Sequence, residues 1–144
     1  DVPRLIKACE QGADMAIGSR YVAGGKLKNW PLDRILLSKG AGIYTRLITW
    51  MPIHDPTAGF VAYTNNVLKT IDLDKIRFIG YAFQIEMKFA AYTLGFNLIE
   101  LPITFSDREY GQSKMSKGIV KEAVLGVIVL RLVSMVSAFS KPKT

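Results

Sequence analysis

Cysteine occurs once, at Cys9, and histidine once, at His54, in a chain of 144 residues. One thiol builds no disulfide framework, and one imidazole beside one thiol cannot make the Cys/His sets that hold zinc. A lone thiol fits a reducing compartment. Acidic residues are also scarce, 12 Asp and Glu against 19 Lys and Arg, which leaves a formal charge of +7. Such a surface favours polyanions (nucleotides, nucleic acid or an anionic membrane face), and charge alone does not choose among them. No basic, apolar leader opens the chain, which starts Asp1-Val2-Pro3-Arg4-Leu5 and reads as an excised piece. Repeats and low-complexity tracts are lacking. The length suits one globular domain or part of one.

What is there alternates between helix and strand patterns. Asp1 is placed to cap a helix to about Glu10, with Pro3 in its first turn and Gly12 at its end. The apolar stretch Met15-Ala16-Ile17-Gly18 reads as a buried strand that delivers Ser19-Arg20-Tyr21 to the sheet edge. Residues 24–31 carry two glycines, a proline and two lysines, which is loop composition. A helix follows from Asp33 to about Met51, on which Arg34 and Ser38 share a face. Pro52, Pro56 and Gly59 break the chain, and Phe60-Val61-Ala62-Tyr63 resumes as a strand. A short helix from about Asn65 to Ile71, a helix from Ala82 to Leu94 ended by Gly95, and a strand from Leu98 to Phe105 complete an α/β order.

The last segment differs in character. Ala123 to Phe139 is apolar apart from Gly126, Arg131, Ser134 and Ser137, and lysines flank it. A helix of that length covers roughly 25 Å, short of the hydrocarbon core of a bilayer. The expected arrangement is a helix lying in the membrane interface or packed on a partner protein, with a basic tail. The expected division is therefore residues 1–115 and 116–144.

Chemistry-bearing residues gather in a few places. Residues 105–114 bring Arg108, Ser113 and Lys114 together around Gly111, a set that can turn backbone N–H groups, a guanidinium fork and an ammonium toward phosphate oxygens. On composition alone, a solvated charged loop is an equal reading. Arg20, Arg34 and Ser38 form a wider cationic group. Arg34 stands near a helix N-terminus, where a cation is electrostatically out of place unless an anion belongs there. Asp55 sits in a turn, where capping is the default role and an active-site carboxylate the functional one. Glu86, on a mostly apolar helix face, needs a partner if buried, and a structural ion pair is the expected one.

Five motifs occur in order: Gly18-Ser19-Arg20-Tyr21, Trp30-Pro31-x-x-Arg34, Asp55-Pro56-Thr57-Ala58-Gly59-Phe60, Gly80-Tyr81-x-Phe83-Gln84-x-Glu86 and Phe105-x-Asp107-Arg108-x-x-Gly111-x-Ser113-Lys114. Together they resemble the C-terminal part of polyprenol (dolichol) phosphate mannose synthases, inverting family 2 glycosyltransferases with a GT-A fold. The resemblance implies transfer of mannose from GDP-mannose to a polyprenyl phosphate at the cytoplasmic face of a membrane. It assigns Arg20, Arg34 and Ser38 to the acceptor phosphate, and Arg108, Ser113 and Lys114 to a loop over the reacting phosphates. Asp55 and Arg108 become the catalytic candidates.

The same resemblance implies a divalent metal, Mg2+ or Mn2+, held by an Asp-x-Asp segment in an N-terminal half that the motifs here do not include. No metal ligand is expected in this piece, and by itself it is expected to be inactive. Two alternatives remain: a glucosyltransferase or another lipid glycosyltransferase of family 2, and a non-catalytic nucleic-acid-binding module. The chain lacks the interleaved aromatic and basic residues of a stacking platform, which weighs against nucleic acid.

Overall fold

The computed structural model describes residues 1–106 and 117–135. β1 (Met15–Ser19) lies at the centre of a three-stranded mixed sheet, antiparallel to β3 (Val61–Tyr63) and parallel to β4 (Leu98–Pro102). All five of its residues are buried, as a strand covered on both faces requires. Side-chain alternation divides them. Ala16 joins Leu5 and Ala8 of α1 (Val2–Glu10) on one face. Met15 and Ile17 join the main core on the other, with Ile85 and Phe89 of α4 (Gly80–Thr93) and Val127 and Leu130 of α5 (Lys117–Ser134). The helices α2 (Leu32–Thr49) and α3 (Asn65–Thr70) complete the α/β order.

Several local expectations are corrected. Asp1 occupies the N-cap of α1, but its carboxylate accepts from Arg4 at 2.8 Å instead of capping. The segment 24–31 is not all loop: β2 (Lys26–Lys28) pairs in parallel with β5 (Thr104–Ser106). The strand expected over Leu98 to Phe105 is thereby split. Pro102 has no N–H to continue a ladder. After it, Ile103 donates to Ser19 O at 3.0 Å and accepts from Lys26 N at 2.9 Å, handing the chain from one sheet to the other. Among the described residues Glu86 makes no side-chain ion pair; its Oε2 accepts the N–H groups of Arg77 (3.0 Å) and Phe78 (2.9 Å). Burial pushes its carboxyl above the usual range, and those two donors work against the shift.

α2 is amphipathic the wrong way round. Its buried seam is Ser38, Gly42, Thr45 and Thr49, small or polar residues spaced along one face. Thr45 and Thr49 satisfy their hydroxyls on the carbonyls of Ala41 and Thr45 at 2.8 and 2.7 Å. The outer face carries Leu32, Leu36, Ile43, Leu47 and Trp50, all strongly exposed. Gly42 lets this seam close on the 54–56 turn, because a Cβ there would stand 3.2 Å from His54 O. α5 continues the exposed apolar surface with Leu125, Ile128, Leu132 and Met135. The Tyr44 hydroxyl donates to Val124 O at 2.9 Å, and Arg131 stacks on the Trp50 ring at 5.1 Å, tying the two helices together. Among the described residues, no helix is long and apolar enough to cross a membrane.

Candidate functional site

The central strand ends at Ser19, so Arg20 emerges at its C-terminal end. Its guanidinium is almost wholly buried against the fully buried Asp55. Nε donates to Asp55 Oδ2 at 2.7 Å and Nη2 to Oδ1 at 2.6 Å, a fork-on-fork geometry. The backbone N–H of Arg20 adds a third bond to Oδ2 at 3.0 Å, and Nη2 also reaches Thr57 Oγ1 at 3.0 Å. Burial alone would disfavour the charge on Arg20, but the hydrogen bonds and charge of Asp55 outweigh it and hold the guanidinium more firmly protonated than a free arginine. Among the described residues Nη1 meets no acceptor, so one edge of the fork remains for a ligand.

Asp55 is held in its turn by a second carboxylate. Glu100, on β4, accepts the Asp55 N–H on Oε1 at 2.9 Å; on Oε2 it accepts the His54 N–H and meets His54 Nδ1, both at 2.9 Å. Gly25 makes the other wall possible, since a Cβ there would come within 2.6 Å of the Arg20 backbone. Aromatic rings surround the guanidinium: Tyr21 and Trp30 at 5.2 and 5.3 Å from Cζ, and Phe105 at 5.8 Å. Trp30 also carries Arg34, whose Cζ lies 3.9 Å from its ring centroid. The Trp30 Nε1–H is buried without an acceptor among the described residues, a donor waiting for one. Ser38 Oγ accepts a hydrogen bond from the Tyr21 hydroxyl at 2.7 Å.

These groups stand at the head of a cleft of about 330 Å³ between α2, α4 and α5. Arg20, Ser38, Thr57 and Tyr81 line its polar end, and Leu37, Tyr44, Ile85, Val120 and Val127 make the rest apolar. A second, more open cavity of about 510 Å³ lies beyond Arg20 and Tyr21, toward Lys39, Arg46 and His54.

The structure thus brings Arg20, Ser38 and Asp55 together and places Arg34 on the shared Trp30. Arg108, Ser113 and Lys114 lie outside the described residues. Four contributors were passed over in the sequence: Thr57, Glu100, the Trp30 platform and Lys88, a fully buried lysine beneath the 55–58 turn. Lys88 and Glu100 had a signal, since a charged residue in an otherwise apolar helix or strand has to be paid for by partners. Among the described residues, no three His, Cys, Asp or Glu side chains gather as a metal site. The chain does contain an Asp-x-Asp, Asp72-Leu73-Asp74, but it forms a 3-10 turn in which Asp72 caps the Asp74 N–H and faces Lys75. It lines neither cavity.

The mixed α/β arrangement, a mixed sheet with a C-terminal helix, is consistent with a GT-A-like fragment. No family model matches the chain. Curated proteins resemble it closely, among them the following three. The chain is 48% identical over 127 residues to the polyprenol monophosphomannose synthase of Mycolicibacterium smegmatis, and 48% over 126 residues to the undecaprenyl-phosphate mannosyltransferase of Micrococcus luteus, 88% of this chain in each case. It is 40% identical over 118 residues, 79% of its length, to the dolichol-phosphate mannosyltransferase of Pyrococcus furiosus. The chain is a homologue of these mannosyltransferases, and it spans 48%, 51% and 32% of their respective lengths.

The buried pair should dominate local stability. Asp55→Asn leaves a guanidinium without its counter-charge and should lower the unfolding free energy by about 3 kcal/mol or more, whereas Thr57→Ala should cost about 1 kcal/mol. Denaturant midpoints of the two variants test this, and equal small losses would contradict it.

Proposed function

We propose that this chain forms the acceptor side of an inverting glycosyltransferase that moves mannose from GDP-mannose to a polyprenyl phosphate at a membrane surface. The observation that carries the reading is the cleft itself: a cationic head at Arg20 and Ser38 opening directly into an apolar channel between helices. A phosphate esterified to an isoprenoid chain has that same division. The relatives' names, which specify polyprenol, undecaprenyl-phosphate and dolichol-phosphate, support the acceptor class.

A phosphate oxygen is ionised at neutral pH and needs little help from a general base to attack a sugar carbon. The demands on the protein are to bring two anions together and to stabilise charge on the departing diphosphate. On this reading Arg20 meets the acceptor phosphate through its Nη1 edge, Trp30 Nε1–H and Ser38 add neutral donors, and Arg34 supplies a second charge across the Trp30 ring. Asp55 is a positioning residue, because both of its oxygens are occupied by Arg20 and its neighbours. Arg108 and Lys114 would supply cations to the donor side, and Ser113 a hydroxyl donor. A divalent metal, when bound, would offset the diphosphate charge; the described residues offer no site for it, so no step is routed through it.

The exposed apolar faces of α2 and α5 fit the same picture. Leu36, Leu47 and Trp50 are 70, 69 and 73% exposed, and Lys39 and Arg46 flank them on the same helix. Apolar side chains bordered by cations suit the interface of an anionic membrane, with the cleft mouth held where the lipid lies. That would make the protein peripheral or interfacially anchored.

Calorimetric titration with farnesyl monophosphate should show binding that farnesol does not reproduce. Arg34→Ala should weaken it about ten-fold with little change in melting temperature, and Ala123→Trp, on the cleft wall, should weaken it without affecting inorganic phosphate. Equal affinity for the alcohol and the phosphate would sink the acceptor reading. In co-sedimentation, the Leu36→Glu, Leu47→Glu double variant should lose most of its binding to vesicles containing anionic lipid; undiminished binding would contradict the docking face. The chain alone, given GDP-mannose, magnesium and polyprenyl phosphate, should release no GDP, and turnover would overturn the assignment of donor and metal to residues beyond it.

A further inference from the structure

Lys88 is fully buried on α4. Its Nζ donates to Ala58 O at 2.7 Å and to Gln84 O at 3.2 Å. Two carbonyls satisfy hydrogen bonds but do not neutralise an ammonium, and a methionine would fill the same space with no desolvation penalty. Burial accordingly pushes the ammonium down to about 7, while Asp55 and Glu100 pull it up and Arg20 pushes it down. Stability of the fold alone is a poor account of such a residue.

Charge around the cleft head gives a better one. Arg20 carries the one guanidinium that meets both Asp55 and the cavity, and Asp55 and Glu100 set two carboxylates behind it. With Arg34 across the Trp30 ring, two guanidinium cations stand against two carboxylates among the described residues, which leaves the cluster without net positive charge to hold a phosphate. We propose that Lys88 is a positioning residue that acts by charge: buried beneath the 55–58 turn, it balances the second carboxylate and leaves the free edge of Arg20 able to accept an anion. The inference rests on the reading of that cleft as a phosphate site.

The sign of the pH effect follows. A bound phosphate dianion favours protonated Lys88, so affinity is highest where Lys88 is charged and falls as pH rises above neutrality. The window from about pH 7.5 to 9.5 isolates this effect from the ligand, because a phosphate monoester is already dianionic there.

The experiment measures affinity of the 144-residue chain across that window for farnesyl monophosphate and for inorganic phosphate, the latter referred to its dianion concentration because its second proton leaves near neutrality. Wild-type affinity should fall with pH. Lys88→Met should bind about three-fold more weakly at pH 7.5, the part left by a half-titrated lysine of the roughly ten-fold effect that one full charge exerts at intermediate range through an effective dielectric of about 20, and its affinity should not change with pH. Lys88→Met combined with Glu100→Gln removes one charge of each sign and should recover most of the lost affinity. A purely structural role predicts the reverse, since Glu100 clamps the 54–55 backbone. Wild-type affinity and pH slope in Lys88→Met, or no recovery in the double variant, overturns the proposal. Should Lys88→Met fail to fold, Glu100→Gln alone decides, with tighter phosphate binding expected and weaker binding refuting. If inorganic phosphate follows this pattern but farnesyl phosphate binds no better, the lipid-acceptor reading fails and the role of Lys88 stands. If the wild type binds neither ligand, both fall.

Discussion

A guanidinium and a carboxylate withdrawn from water together are tolerable only as a well-made pair, because either one alone would face a desolvation penalty of several kcal/mol. The contact between Arg20 and Asp55 therefore constrains more of the chain than any single apolar contact does. The strand must end where Arg20 can turn inward. The 54–58 turn must present both carboxylate oxygens, which is why Glu100 grips two of its N–H groups and Lys88 one of its carbonyls. Gly25 and Gly42 let backbone approach from either side without collision. The pair also divides the arginine, with one edge committed to the fold and the other without an acceptor among the described residues.

On the proposed reading of the cleft, that division suits a reaction short of acid–base work. Neither carboxylate at the cleft head is free to take a proton from a substrate: Asp55 is saturated by Arg20, and Glu100 by the His54–Asp55 backbone and the His54 ring. What remains available is donors and positive charge. A nucleophile that arrives already ionised needs orientation and a favourable field, and the cleft is equipped for both.

Much of the architecture was legible in the sequence, and the failures have physical causes. The buried strand at Met15 and the helices on either side of the 52–60 break follow from apolar runs and from Pro and Gly positions, which act locally. β2 was invisible because three residues with lysines at both ends, Lys26-Leu27-Lys28, become a strand only when β5 supplies a partner 78 residues away. The splitting of the strand after Pro102 depends on the same distant pairing. At the site, Arg20, Arg34, Ser38 and Asp55 stood out as residue types in ordered motifs. Their relationship did not, since a carboxylate bonded to an arginine 35 residues earlier looks in sequence like any acid in a turn. Glu86 shows the limit from the other side: its need for partners was evident, but nothing local says that they are backbone N–H groups and not a cation.

The reversed polarity of α2 bears on what the native solvent of this protein is. A helix that turns Ser38, Gly42, Thr45 and Thr49 inward gains little from leaving water, while Leu32, Leu36, Ile43, Leu47 and Trp50 lose by staying in it. Whatever covers that face contributes to the stability of the helix as directly as a packed core does. On the proposed membrane docking, unfolding measured in plain buffer describes the chain with one of its structural components removed, and the amphiphile chosen for handling it becomes part of the thermodynamic definition of the folded state.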